Sequence, residues 1–285
     1  MSKKNCILCG ADSFKKLYKK KGFDIEKCKS CSLIRTDIPK NFNIKSIYGH
    51  DYFQGGKDDG YLDYVGSRRV LSREFSRLSE EIYNQVDQLN DRKLKLLEVG
   101  CAYGFFLEEA SNYFDCYGIE VSIEASSYAK SNGHKVFGGD VSEENLSKIG
   151  AVDIIVMLDV IEHLENPLAT LELLQKYLKR GGSIIIVTGN IDSILYKLMG
   201  KNWRLMTPPQ HTYFFSKKTL VKSLQKCRLE VVSVSRPWKF VPLGLAFYQL
   251  GSRIGFRLKR LETLNNLGMY VNLFDVVKVI AIRKE

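Results

Sequence analysis

No stretch of this 285-residue chain comes near about 18 consecutive apolar residues, so the sequence offers no membrane-spanning helix. No apolar segment follows Met1-Ser2-Lys3-Lys4, so an export signal is not expected and a cytoplasmic protein is. With 45% hydrophobic and 26% charged residues, the composition is that of an ordinary globular protein. It suffices for one large domain and a small accessory module. In that setting seven cysteines point to metal or buried thiols, not to a disulfide framework. Acidic excess is confined to one region. Residues 94–190 carry a net −7, whereas residues 1–60 carry +6, 61–93 carry 0 and 191–285 carry +12. Such a field favours an anionic partner: a phosphorylated or nucleotide-linked sugar, a lipid headgroup or nucleic acid.

The acidic region opens on Leu94 to Leu107, LKLLEVGCAYGFFL. Leu94, Leu96, Leu97 and Val99 read as a buried parallel strand that stops at Gly100. Phe105, Phe106, Leu107 and Ala110 then recur at helical spacing from Gly104 to Tyr113. Strand, glycine turn and helix form the first half of a nucleotide-binding crossover, with Gly100 bringing backbone close to a ligand. Twenty positions on, at the end of a second apolar strand (Cys116 to Ile119), Glu120 can accept hydrogen bonds from both hydroxyls of a ribose. The third glycine of a dinucleotide G-x-G-x-x-G turn is missing. The run is closer to E-x-G-x-G-x-G, with Glu98 on the strand and Ala102 at the middle glycine position. Tyr103 and Phe105 crowd the turn and leave little room for a pyrophosphate. A ligand with one nucleoside and a charged amino-acid tail fits better.

Gly139-Asp140 follows a third short strand (Lys135 to Phe137), where an acid can hydrogen-bond an adenine amino group. Val152 to Leu158 is a fourth buried strand running into Asp159-Val160-Ile161-Glu162-His163-Leu164. Leu178 to Thr188 is a Gly-Gly turn into a fifth. In order and spacing, Leu94 to Thr188 resembles the class I S-adenosylmethionine-dependent methyltransferases; Ala102 is the departure. The resemblance implies an α/β, Rossmann-like seven-stranded sheet ordered 3-2-1-4-5-7-6. It places the cofactor against Glu98, Gly100, Cys101, Ala102, Gly104, Glu120, Val121, Asp140, Val141, Leu158 and Asp159.

Ahead of this core, Cys6-x-x-Cys9 and Cys28-x-x-Cys31 are separated by eighteen residues. Each pair can place two thiolates on one metal, and four at about 2.3 Å complete the tetrahedral shell of zinc. Phe14 to Tyr18 and Phe23 to Glu26 read as strands of a zinc ribbon over residues 1–40. Four cysteines leave no open position, so the metal is structural, and it should supply much of the folding energy of so small a module. Residues 41–92 hold an aromatic, glycine-rich stretch (Tyr48, Tyr52, Phe53, Tyr61, Tyr64). It reads as a cap over the site or as glue between ribbon and core. A helix from Ser67 to Leu89 follows, with Arg68, Arg69, Arg73 and Arg77 as a solvated face. The core occupies 93–285. Asp192 to Met199 reads as a helix, Ser216 as the N-cap of a helix Lys217 to Lys226, and Leu229 to Val234 and Val276 to Ile282 as strands six and seven. The basic, apolar insertion at 238–270 suits a membrane-surface helix, a lid or a homodimer contact. Pro242 and Gly244 argue against one continuous helix, which favours packing or dimerisation.

Methyl transfer needs alignment and, for a hydroxyl acceptor, removal of its proton. His163, just past the fourth strand, and His211, after the fifth, border the same crevice in this sheet order and are the candidate bases. His163 also reads as a helix-start histidine holding its loop. A third reading has Asp159, Glu162 and His163 hold a divalent metal, as in relatives resembling the ubiquinone-pathway O-methyltransferases. The fourth strand ends Leu158-Asp159-Val160-Ile161 and not in the [D/N]-P-P-aromatic motif of amino methyltransferases, which argues against methylation of nucleic-acid amines. A four-cysteine ribbon before a methyltransferase core resembles the sugar C-methyltransferases of deoxysugar pathways and enzymes of bacterial polysaccharide clusters. Those C-methyltransferases carry a further C-terminal domain for which this chain is too short. The expected activity is therefore O-methylation of a small, anionic sugar or nucleotide-linked sugar. The alternative is a ribosomal or transfer RNA methyltransferase whose ribbon binds RNA.

Overall fold

Residues 5–39, 41–47, 64–86, 92–242 and 268–284 are described by the computed structural model. The aromatic stretch at 48–61 and most of the insertion, 243–267, lie outside the described residues. Near the N-terminus, β1 (Phe14–Lys20), β2 (Phe23–Cys28) and β3 (Ile34–Asp37) form an antiparallel meander. After it comes α1 (Arg68–Gln85), whose buried residues Val70, Phe75 and Ile82 follow the expected helical stripe.

The alternating part of the chain begins with β4 (Lys95–Val99), α2 (Phe105–Ala110), β5 (Asp115–Glu120) and α3 (Ile123–Ser131). It continues with β6 (Lys135–Gly138), α4 (Glu143–Ile149), β7 (Val152–Leu158), α5 (Pro167–Tyr177) and β8 (Leu178–Gly189). Then come α6 (Ile194–Met199), the two-residue β9 (Tyr213–Phe214), α7 (Lys217–Lys226), β10 (Leu229–Ser235), the hairpin of β11 (Lys239–Pro242) with β12 (Gly268–Val271), and β13 (Val276–Arg283).

Seven strands make one sheet in the order β6-β5-β4-β7-β8-β13-β10. Numbered as core strands, this is the expected 3-2-1-4-5-7-6. β13 runs antiparallel between β8 and β10. The central strands are apolar on both faces because helices cover both. Alternation sorts them: Leu97, Val99, Ile155 and Met157 face one core, whereas Leu96, Ile154 and Val156 join Phe75, Phe105 and Phe106 in the other. Each such side chain stabilises by about 1.5–3 kcal/mol on burial. The direction of strand succession reverses between β4 and β7, which opens a crevice at their carboxyl ends.

Four details go beyond the sequence reading. The expected Gly-Gly turn is an irregularity inside β8. The register with β7 skips from Val152–Leu178 to Ile154–Ser183, and a Cβ on Gly182 would lie 2.8 Å from the Asp153 carbonyl. The arginines of α1 are exposed, as expected, and also make contacts: Arg68 pairs with Glu108 of α2 at 2.6 Å, while Arg73 and Arg77 lie over the rings of Phe240 and Tyr270. Lys278 of β13 is buried and ion-paired with Glu81 of α1. Finally, β9 adds itself to the N-terminal meander, giving a four-stranded sheet β1-β2-β3-β9. A two-residue strand has no period to read, so this union of ribbon and core was invisible in the sequence. Ser216 does cap α7, through a reciprocal pair with Thr219. No helix among the described residues is long and apolar enough to cross a membrane.

Candidate active site

The glycine turn after β4 is built for close approach. Gly100 has φ +72°, and a Cβ there would meet Val160 at 2.6 Å. Gly104 has φ +82°, and a Cβ there would meet His134 at 2.8 Å. Ala102, at the middle glycine position, also takes a left-handed conformation, φ +45°. Its N–H donates to Glu120 Oε2 at 2.9 Å, and Ser122 N–H donates to Oε1 at 2.8 Å. Glu120 therefore anchors the turn, with lone pairs left on each oxygen for ribose hydroxyls. Burial lifts its carboxyl above the usual range, against the pull of the Ser122, Ala102 and Val121 N–H groups. Glu98 is only 4% exposed, and its Oε2 has no partner among the described residues. Burial, then the Glu120 charge, raises its pKa well above normal. An orphaned buried carboxyl oxygen costs about 1–3 kcal/mol, a cost that a ligand ammonium would remove. These features fit a nucleoside carrying an amino-acid tail.

The remaining cofactor candidates gather along the same edge. Gly139 N–H donates to the Glu120 carbonyl at 2.8 Å, which brings the Asp140-Val141 turn beside β5. Asp140 is exposed and Val121, Val141 and Leu158 are half-buried. Cys101 differs: its thiol is buried so close to Gly118 that a Cβ there would meet the sulfur at 2.5 Å. Only the backbone of Cys101 can serve a ligand. Asp159 follows β7 in a left-handed conformation, φ +53°, and its carboxylate is ion-paired with Lys239 of β11 at 2.5 Å. Glu74 of α1 accepts the Phe240 N–H, and its charge reinforces Asp159 around Lys239. Burial alone would lower the Lys239 pKa, but these two carboxylates hold it above normal. Sequence reasoning missed Lys239 and Glu74. The only signal was a lone lysine between Trp238 and Phe240.

His163 and His211 do meet: their ring centroids are 4.6 Å apart with planes at 88°. His163 Nδ1 lies 3.1 Å from the Gln210 carbonyl, so Nδ1 carries the proton and Nε2 keeps the lone pair. Burial pushes His163 down to about 4. Burial, with His163 adjacent, drives His211 well below its ordinary value. Both imidazoles are neutral at neutral pH. The loop before β9 is tied to the turn after β7 by the Thr212 N–H, which donates to the Glu162 carbonyl at 2.8 Å, and by the Thr212 hydroxyl, 2.7 Å from the Leu164 carbonyl. Glu162 is buried, and burial with the Asp159 charge pushes it up to about 8. Donor atoms of Glu162, His163 and His211 lie within 4.8 Å of one another. The metal-capable trio is thus not the Asp159, Glu162 and His163 of the sequence reading, since Asp159 is engaged by Lys239.

In the ribbon, Cys6, Cys9, Cys28 and Cys31 converge within the same 4.8 Å limit. The Cys6–Cys31 sulfurs are 3.4 Å apart and the Cys9–Cys28 sulfurs 3.6 Å. Sulfurs at the corners of a zinc tetrahedron lie about 3.8 Å apart, so the set fits such an ion. Against burial, the Cys31 and Ser30 N–H groups pull the Cys28 thiol down to about 7, whereas burial raises Cys6 and Cys31.

A methyltransferase-domain family matches residues 64–234, beginning beyond the ribbon. Ubiquinone biosynthesis O-methyltransferase of Rickettsia conorii is 32% identical over 154 residues, 52% of this chain and 50% of that protein. Its counterpart in Rickettsia felis is 34% identical over 175 residues, 59% of this chain and 69% of that protein. The chain thus spans from half to 69% of the length of these relatives. Among solved structures, magnesium protoporphyrin IX methyltransferase from Synechocystis PCC 6803, with bound SAH, shares the fold. It has a TM-score of 0.53 at 15% identity, over 85% of this chain and 98% of that one. The chain therefore belongs to the methyltransferase-domain family, as an S-adenosylmethionine-dependent methyltransferase.

Proposed function

We propose that the protein O-methylates a small anionic sugar or nucleotide-linked sugar, with His163 and His211 serving the acceptor hydroxyl. The observation that carries this reading is the histidine pair: two neutral imidazoles in contact at the carboxyl edge of the sheet. When bound, S-adenosylmethionine supplies the methyl group and departs as a neutral thioether. Glu98 would receive its ammonium, the Gly100–Gly104 backbone its amino-acid tail, Glu120 its ribose and Asp140 its adenine amino group. Val121, Val141 and Leu158 would line the ring. The acceptor proton passes to an imidazole, and for His163 the receiving atom is Nε2, because Nδ1–H faces the Gln210 carbonyl. The strongly basic segments that flank the acidic core suit an anionic acceptor. A structural zinc on Cys6, Cys9, Cys28 and Cys31 holds the ribbon.

The Rickettsia relatives are ubiquinone biosynthesis O-methyltransferases, which favours a second acceptor class, a phenolic hydroxyl. A phenol with a pKa of about 10 is also a better match for so weak a base. The test is methyl transfer from labelled cofactor to a panel of nucleotide sugars, catechol-type phenols and RNA. Label on nucleotide sugars supports the first reading, and label on phenols alone replaces it with the second. Label on RNA, with activity falling steeply as salt is added, would overturn both.

A further inference from the structure

We infer that the four-cysteine ribbon positions the histidine pair, and that Thr36 is the residue through which it acts. The inference rests on the reading of His163 and His211 given above. Thr36 lies on β3 and is 4% exposed. Its hydroxyl donates to the His211 carbonyl at 2.6 Å, and its N–H donates to the next carbonyl, Thr212, at 2.9 Å. Just before it, Ile34 and Arg35 stand in register with Phe214 and Tyr213 of β9. On its other side the same loop is fastened to the turn that carries His163. Thr212 N–H reaches the Glu162 carbonyl, and the Gln210 carbonyl takes His163 Nδ1–H. His211 is therefore clamped between a ribbon strand and the loop of its partner histidine.

The clamp has a metal-dependent half. Cys28 ends β2, Cys31 stands three positions before β3, and the Cys28 N–H donates to the Leu33 carbonyl across the turn between them. An ion on the four sulfurs would fix the end of the β2–β3 hairpin from which Thr36 reaches the loop. A ribbon this small relies on its metal for order. The other side of the clamp belongs to the sheet of the core and needs no metal. Titratable or charged groups facing His211 are Glu162, His163 and Arg204, all from the core. The ribbon's contribution is thus positional and not electrostatic.

The experiment uses the full zinc-loaded chain and needs no acceptor. Two readouts are taken at pH 7.5: the rate at which diethylpyrocarbonate modifies each histidine, by peptide mass spectrometry, and the imidazole nitrogen shifts that report tautomer. Thr36→Val removes the hydroxyl and keeps the shape. It should speed modification of His211 tenfold or more relative to His134 and average its tautomer signal. Thr36→Ser should restore both to within twofold of wild type. Zinc content and cofactor affinity should stay within twofold in either variant. Removing zinc with a chelator should reproduce the valine result. Wild-type rates and shifts in Thr36→Val would overturn the inference. If chelation abolishes cofactor binding, the chain has unfolded, and the valine–serine comparison alone decides. If the coupling is found while His163→Ala and His211→Ala keep full turnover, the coupling stands and the base assignment falls.

Discussion

The two halves of the crevice are assembled in opposite ways. The cofactor half is nearly contiguous: Glu98, the Gly100–Gly104 turn and Glu120 lie within 23 residues, and the turn is tied to the end of β5 by the Gly100 N–H on the Ile119 carbonyl and the Ala102 N–H on the Glu120 carboxylate. The acceptor half draws on segments more than 200 residues apart, from Thr36 through Glu74, Asp159 and His211 to Lys239. A contiguous turn can form wherever its strand and helix form. A scattered site exists only when the whole molecule is folded. Damage to the cofactor half should therefore appear as lost binding, and damage to the acceptor half as lost turnover or altered response to pH.

The sharpest way to break that division is at the histidines. His163→Ala or His211→Ala, whichever is the base, should lower turnover about a hundredfold or more. Cofactor affinity should stay within a few-fold. Steady-state kinetics on the acceptor identified by the panel, with calorimetry for the cofactor, checks both parts. If both variants turn over normally, proton removal by imidazole is excluded. Next in size is Glu120→Ala, which should weaken cofactor binding at least tenfold, about 1.4 kcal/mol. Turnover at saturating cofactor should change little. Unchanged affinity by calorimetry would remove Glu120 from the site.

The reason one half was legible and the other only partly so is physical. Gly100, Gly104 and Glu120 are read from local constraints: positive φ, a strand end and a fixed separation. The sheet order came from the family resemblance that the succession of motifs carries. His163 and His211 could be placed at one edge once that order was assumed, but not their contact. The pairing of Lys239 with Asp159 has no sequence period behind it, nor does the union of β9 with the ribbon. Both are products of tertiary packing. The arginines of α1 are exposed, as the helical wheel implied, but the rings that Arg73 and Arg77 lie over could not be read from it.

The acceptor half should also leave a mark on stability. His163 has its folded pKa depressed to about 4 by burial, against about 6.5 unfolded. Between those values the unfolded chain binds the extra proton and the folded chain does not. Stability is then intact above about 6.5 and falls as pH drops towards 4, by up to about 3 kcal/mol from this group. Glu162 and His211 titrate in both proteins, so the slope from His163 is read as the difference between wild-type and His163→Phe thermal midpoints, which should change from pH 7 down to 4.5. A difference that stays constant across that range would show that His163 contributes no such slope.

The smallest effect expected lies in the cofactor turn, where two opposite exchanges can be compared. Gly100→Ala adds a Cβ at φ +72° that would lie 2.6 Å from Val160, so the turn must shift and cofactor affinity should fall severalfold or more. Ala102→Gly works the other way. At φ +45° an alanine is strained by about 1–2 kcal/mol, which glycine relieves. Against this, glycine frees the unfolded chain by about 0.4–1 kcal/mol and gives up a methyl group, worth about 0.8 kcal/mol, in a position only 9% exposed. These contributions nearly cancel, so denaturant unfolding should place Ala102→Gly within about 0.5 kcal/mol of wild type. Cofactor affinity should hold as well, since the N–H that Glu120 accepts belongs to the backbone and survives the exchange. A loss beyond 1 kcal/mol would mean that the Ala102 methyl packs more tightly than its burial suggests and that the turn tolerates alanine because it needs one.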